Sequence, residues 1–205
     1  MRKFIQMVLV LSAISFLAGL ALGSLNSATK EPIRNNTLRF KKLPAVIDIA
    51  KTYMGEISAE ETKALEDLLL IDRREIAVED TTHLVFMIRR DGEPHGFVIE
   101  SSGSGYGGAV TAMVGIDIAG SKLIGVAVAG HSETPGVGSR VTETAFTGQF
   151  PWMDTTANFK LKKNGGEVDG ISGATYSSAA VCTAVTQATS FYKAHGEEVR
   201  KAFEL

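Results

Sequence analysis

The sequence predicts an α+β domain behind one N-terminal transmembrane helix. Three observations lead there. An unbroken apolar run lies near the N-terminus, a capping signal precedes an amphipathic stretch, and two β-rich pairs are separated by Asp91-Gly92 and Gly120-Ser121. The soluble part is therefore expected to hold antiparallel hairpins flanked by helices.

The apolar run reads FIQMVLVLSAISFLAGLALGSL from Phe4 to Leu25, with Gln6 its one strongly polar side chain. As a helix it covers roughly 33 Å at about 1.5 Å per residue, enough to cross a hydrocarbon core. Ala21-Leu22-Gly23 also resembles a signal-peptide cleavage site, but the run exceeds the roughly 7–15 residues of a signal core, so a retained anchor is preferred. Residues 1–25 are assigned to the anchor, 26–42 to a polar, basic juxtamembrane connector with Pro32, and 43–205 to one domain. Arg2 and Lys3 precede the run; Lys30, Arg34, Arg39, Lys41 and Lys42 follow it. Charge alone would keep the domain in the cytoplasm.

The chain has 205 residues, 44% hydrophobic and 21% charged, enough for one buried core plus the anchor. A net charge of −2 gives no electrostatic case for nucleic acid as a partner. The lone Cys182 excludes an internal disulfide and a thiolate cage, and is expected to pack as a small apolar residue. His83, His95, His131 and His195 do not fall at ligand spacings, so no metal site is assigned. Redox chemistry here would need a bound organic cofactor.

Leu43–Tyr53 is expected to form a short amphipathic helix. Ser58 and Glu61 form a capping box ahead of a helix from Ala59 to about Ile71. His83–Arg90 and Gly96–Glu100 flank Asp91-Gly92, a strong hairpin signal. Gly108–Ile118 and Lys122–Ala129 form the second pair, and their β-branched content suggests a sheet with one face buried. Ser177–Lys193 closes the domain as a helix with Val181, Val185, Ala188 and Tyr192 on one stripe.

Three segments carry candidate chemistry. Asp169-Gly170-Ile171-Ser172-Gly173-Ala174-Thr175 places glycines and hydroxyls just before the last helix. Helix capping explains the hydroxyls; a phosphate seated on unpaired N–H groups explains them as well. The string His131-Ser132-Glu133-Thr134-Pro135-Gly136-Val137-Gly138 is either an ordinary Pro-Gly turn or flat backbone suited to a planar ring. Ser101–Gly108 is glycine-rich, but it reads GxGxGG and precedes a strand, which rejects a Rossmann loop and leaves a connector or a site-shaping segment. Trp152 and Tyr106 are each candidates to stack on a ring or close the core, the core being preferred for both.

Residues 169–175 resemble the acceptor motif of flavin transferases, enzymes that split FAD and join the FMN phosphate to the final threonine. The resemblance implies covalent FMN on Thr175, with Asp169, Gly170, Ser172, Gly173 and Ala174 completing the motif. Residues 133–138 resemble the Glu-Thr-Pro-Gly-Leu-Gly loop of the FMN-binding domain family, with Val137 in place of leucine. That implies flavin contacts from Glu133, Thr134 and Val137, with the Glu133 charge near the ring. Gly105 and Tyr106 correspond to a glycine-aromatic segment shaping the same site. Nearly the whole chain, Thr29-Lys30-Glu31-Pro32-Ile33 included, resembles the G subunits of Rnf electron transport complexes and, more distantly, the C subunit of the sodium-pumping quinone reductase.

What this resemblance implies is an electron-carrying flavoprotein subunit of an ion-translocating ferredoxin:NAD oxidoreductase, with no catalytic residue of its own. Its partners would be the other membrane and iron–sulfur subunits, a flavin transferase and the lipid bilayer. The domain would lie on the extracytoplasmic side of the cytoplasmic membrane, against the charge count. A membrane-tethered flavin sensor is the rival, disfavoured by only three residues ahead of the apolar run. A structural subunit that has lost its flavin is disfavoured by intact Asp169 and Thr175.

Overall fold

The structure is a computed structural model and describes residues 1–55, 57–78 and 81–205. These form two compact units, residues 1–40 and 41–205. The first is dominated by helix α1 (Arg2–Thr37), which buries none of its residues and is long and apolar enough to cross a membrane. The polar stretch after the apolar run stays helical through Pro32. Proline has no N–H to return to the carbonyl four residues back. Leu38–Lys42 is π-helical.

In the second unit, α2 (Leu43–Met54) and α3 (Ala59–Ile71) precede a five-stranded antiparallel sheet. Its strands β1 (Arg73–Val78), β2 (Thr81–Arg90), β3 (Glu93–Ser104), β4 (Ala109–Asp117) and β5 (Leu123–Gly130) lie in sequence order. A one-turn helix α4 (Thr144–Thr147) and a long loop lead to α5 (Thr175–Ala202).

The capping box at α3 forms in full: the Glu61 N–H donates to Ser58 Oγ at 3.2 Å, and the Ser58 N–H donates to Glu61 Oε2 at 2.7 Å. Both central residues of the β2–β3 turn have positive φ, 53° at Asp91 and 83° at Gly92, which matches the right-handed twist of the strands they join.

Both faces of the sheet are buried, which corrects the expectation of one solvated face. Val85, Met87, Phe97, Ile99 and Val114 join the core cluster that α5 covers with Val181, Val185, Ala188 and Tyr192. Phe86, Ile88, Val98 and Met113 are equally buried but fall outside that cluster. Ile49 of α2 packs against Gly115 and Gly125. The continuous run Val85–Ile88 was the signal for this, since a one-sided strand alternates.

Two elements differ further. β1 pairs along β2 from Arg73↔Phe86 to Val78↔Thr81, an edge strand that charged Arg73-Arg74-Glu75 disguised. α5 runs past Lys193 to Ala202, bending at His195 (φ −125°, ψ 19°). Near the other end of α5, Gly103 of β3 lies so close to Ala180 that a Cβ would strike its backbone carbonyl.

Candidate functional site

The start of α5 is not capped by any side chain, and its N-cap residue is Ala174. The hydroxyls that suggested capping act otherwise. Ser178 Oγ donates to the Ala174 carbonyl at 2.9 Å and accepts from the Ile171 N–H at 3.0 Å, closing the turn that delivers Thr175. Gly173 sits at φ 78°, which turns the chain into the helix. Thr175 is half-buried, and its Oγ1 accepts a hydrogen bond from Lys163 Nζ at 3.0 Å.

Lys163 reaches Thr175 from a short 3₁₀ turn, Lys162–Asn164. The preceding Leu161 and the later Val168 are buried and bridge each other. Next to it, Lys162 Nζ pairs with Asp169 Oδ2 at 2.7 Å. The main chain of Asp169 is held by Gln149, whose Oε1 accepts its N–H at 2.8 Å and whose Nε2 donates to its carbonyl at 3.2 Å.

Glu133 organises the opposite wall. It is 5% exposed, and its carboxylate accepts from the N–H groups of Gly107 at 2.8 Å and Tyr106 at 3.3 Å and from the Ser177 hydroxyl. Burial alone would push its pKa up. The Ser177 hydroxyl, the two N–H groups and nearby His131 outweigh that and hold it below the ordinary carboxylate value. Glycine is required around it. A Cβ at Gly105 would strike Glu133 Oε1, and one at Gly138 would lie 2.7 Å from Ser177 Oγ.

A cleft of about 210 Å³ opens between these walls, lined by Tyr106, Glu133, Thr134, Val137, Gly138, Gly173, Ala174, Thr175, Tyr176 and Ser177. Seven residues singled out in the sequence meet here: Tyr106, Glu133, Thr134, Val137, Gly173, Ala174 and Thr175. Gly105 lies behind Glu133. Asp169, Gly170 and Ser172 line a neighbouring cleft with Arg140 and Gln149. The Glu133 carboxylate is turned to backbone and Ser177, while Tyr106 is 78%, Tyr176 69% and Val137 45% exposed and Thr134 is exposed beside them. The Tyr106 and Tyr176 rings sit 6.4 Å apart.

Sequence reasoning missed Lys163 and Tyr176. Only the folded loop brings Lys163 to Thr175, whereas an aromatic beside Thr175 was visible in the sequence. Trp152 and Tyr106 both correct the core expectation: Tyr106 is exposed at the cleft, and Trp152 is 56% exposed at φ 69° and packs on Tyr53 of α2 at 6.0 Å, outside the cleft.

Residues 105–190 match the FMN-binding domain family, a span that contains every candidate residue from Gly105 to Thr175 as well as Lys163. The chain is 34% identical over 149 residues to the G subunit of the ion-translocating oxidoreductase complex of Vibrio vulnificus, covering 69% of this chain and 70% of that one. The chain belongs to the G-subunit family of ion-translocating oxidoreductase complexes. Another G subunit, from Methanosarcina acetivorans, is 43% identical over 102 residues, 48% of this chain and 52% of its own. The chain spans between about half and two thirds of the length of the first curated relatives it matches. Among solved structures, the C subunit of the Na⁺-translocating NADH-quinone reductase from Parabacteroides distasonis shares the fold, with a TM-score of 0.54 and 20% identity over 71% of this chain and 87% of that one.

In this G-subunit chain the residues present fit a phosphate-bearing planar group. A lysine ammonium and an accessible hydroxyl share one point, and exposed tyrosines flank it.

Proposed function

We propose that FMN is joined through its phosphate to Thr175, and that the chain is the electron-carrying flavoprotein subunit of a membrane-bound ion-translocating ferredoxin:NAD oxidoreductase. The observation that carries the reading is the Thr175 hydroxyl, uncapped and hydrogen-bonded to Lys163 at the rim of an aromatic cleft. The G-subunit relatives support the assembly; the acceptor motif supports the ester.

FMN, when bound, supplies one- and two-electron chemistry. The chain's own residues hold and orient it. Tyr106, Tyr176 and Val137 offer apolar surface to a ring, Gly173 brings the backbone close, and Lys163 offers a counter-charge to a phosphate. At about 210 Å³ the cleft is smaller than the ~300–1,000 Å³ of pockets that enclose a ligand of that size. Part of the ring would stay accessible to electron partners, and the ester would prevent cofactor loss. The subunit needs a flavin transferase for maturation and the other membrane and iron–sulfur subunits for turnover. It is not a complete enzyme alone.

Co-expression with a flavin transferase is expected to give a fluorescent band on a denaturing gel and added mass on the peptide containing Thr175. A Thr175→Ala chain that still carries covalent flavin overturns the ester. α1 anchors the chain in the cytoplasmic membrane, with the domain on the extracytoplasmic side. An alkaline phosphatase fusion after Leu205 is expected to be active, and an inactive one beside a fluorescent cytoplasmic reporter at the same site reverses that side.

A further inference from the structure

We propose that Lys163 binds the phosphate carried by Thr175 and assists its transfer there. This rests on Thr175 being the acceptor.

Two adjacent lysines have different surroundings. Lys162 is neutralised by Asp169 at 2.7 Å. Lys163 points at a neutral hydroxyl, at 3.0 Å, and among the described residues forms no ion pair. Its backbone is held in place although its tip is exposed. The Lys162 N–H donates to the Val168 carbonyl at 2.8 Å, and the Val168 N–H returns to the Lys160 carbonyl at 3.1 Å. Asn158 Nδ2 donates to the Gly165 carbonyl at 3.0 Å, and Gly165 closes the turn at φ 79°. Gly166 lies so close to Lys160 that a Cβ there would strike its carbonyl. The fold therefore delivers one uncompensated cation to one hydroxyl, and the Lys162–Asp169 pair ties that loop to the acceptor segment.

The chemistry follows from the donor. An ammonium only donates, so Thr175 Oγ1 accepts from Lys163 and its own proton points elsewhere, available to a base on the transferase. In transfer, Oγ1 attacks the phosphorus on the FMN side of the FAD pyrophosphate. The Oγ1–P bond forms, the P–O bond to the adenylate breaks, AMP leaves with the bridging oxygen, and the hydroxyl proton passes to that base. No oxidation state changes. Once Oγ1 is bonded to phosphorus, the non-bridging oxygens lie beside the same ammonium. Lys163 opposes the charge building on them during transfer and pairs with the single negative charge of the finished phosphodiester.

The test uses the full chain in detergent with a flavin transferase and FAD, comparing wild type, Lys163→Met, Lys163→Arg and Lys160→Met. Loading is followed by covalent flavin fluorescence, and the ester by ³¹P NMR. Lys163→Met is expected to lower kcat/KM for loading roughly tenfold or more, in line with a charge-assisted hydrogen bond. Lys163→Arg recovers most of the rate, and Lys160→Met, which changes net charge equally, loads like wild type. The ³¹P resonance of the loaded chain shifts in Lys163→Met while the visible flavin spectrum stays the same. Loading of Lys163→Met at the wild-type rate with an unmoved ³¹P resonance overturns the role of Lys163. A wild-type chain that takes up no flavin, or takes it on another residue, overturns the acceptor assignment instead.

Discussion

The Ser177 hydroxyl donates to the Glu133 carboxylate across 44 residues of chain, joining the loop after β5 to the first turn of α5. The same carboxylate receives the N–H groups of Tyr106 and Gly107, so one buried anion holds three segments of the cleft together. Glu133→Ala would leave two part-buried N–H groups and the buried Ser177 hydroxyl without this partner. It is expected to destabilise the domain by about 2–3 kcal/mol. Glu133→Gln keeps one acceptor but turns an NH₂ toward donors, for a loss of about 1–3 kcal/mol. Urea unfolding measures both. Wild-type stability in either variant would mean that the carboxylate does not hold the cleft.

Acid should reveal the same group. Its folded pKa is depressed, because hydrogen bonds and His131 outweigh burial. A depressed carboxylate contributes stability that is fully present above the unfolded value of about 4.3 and is lost as pH falls through the folded value. The stability gap between wild type and Glu133→Gln is therefore expected to be constant near neutrality and to narrow below about pH 4. A gap that widens on acidification contradicts this.

Two glycines in the loop from Glu133 to Gly138 should respond differently to alanine. At Gly138 a Cβ would sit 2.7 Å from Ser177 Oγ and 2.8 Å from Glu133 Cβ. Gly138→Ala is expected to cost about 1–3 kcal/mol as overpacking and to lower the yield of covalent flavin with it. Gly136 opens onto free space but holds φ 72°. Gly136→Ala is expected to cost only about 1–2 kcal/mol from backbone strain. Equal loading of both variants would count against the tight contact at Gly138.

Cys182 is buried in α5, and burial pushes its thiol up to about 12. Little thiolate exists at neutral pH, so native protein is expected to resist maleimide at neutral pH and to react promptly in urea. Rapid native labelling would show that α5 opens locally.

What the sequence disclosed depended on how far apart the partners lie. The Ser58–Glu61 capping box and the Asp91-Gly92 turn have all their parts within a few residues, and both form as expected. Residues 169–175 and the Pro-Gly loop were legible as motifs, and the structure brings seven of their residues and neighbours to one cleft. Contacts between distant segments were not legible. Nothing local to Lys163 announces Thr175, and nothing local to Glu133 announces Ser177. β1 was hidden because an edge strand can carry Arg74 and Glu75 at the surface, and the second buried face was signalled by unbroken apolar runs such as Val85–Ile88.

The close approach of Gly103 to Ala180 has a consequence for how this domain can vary. The strand touches α5 through the absence of a side chain, so there is no atom there to trim in compensation for a shift. Any larger residue would lever the first turns of α5 away from the sheet and carry the Thr175 hydroxyl off its lysine. Tyr106, Val137 and Tyr176, which face outward, can change shape without moving that frame. Descendants of this sequence are thus free to retune the surface of the cleft while the Thr175 hydroxyl stays where the backbone has fixed it.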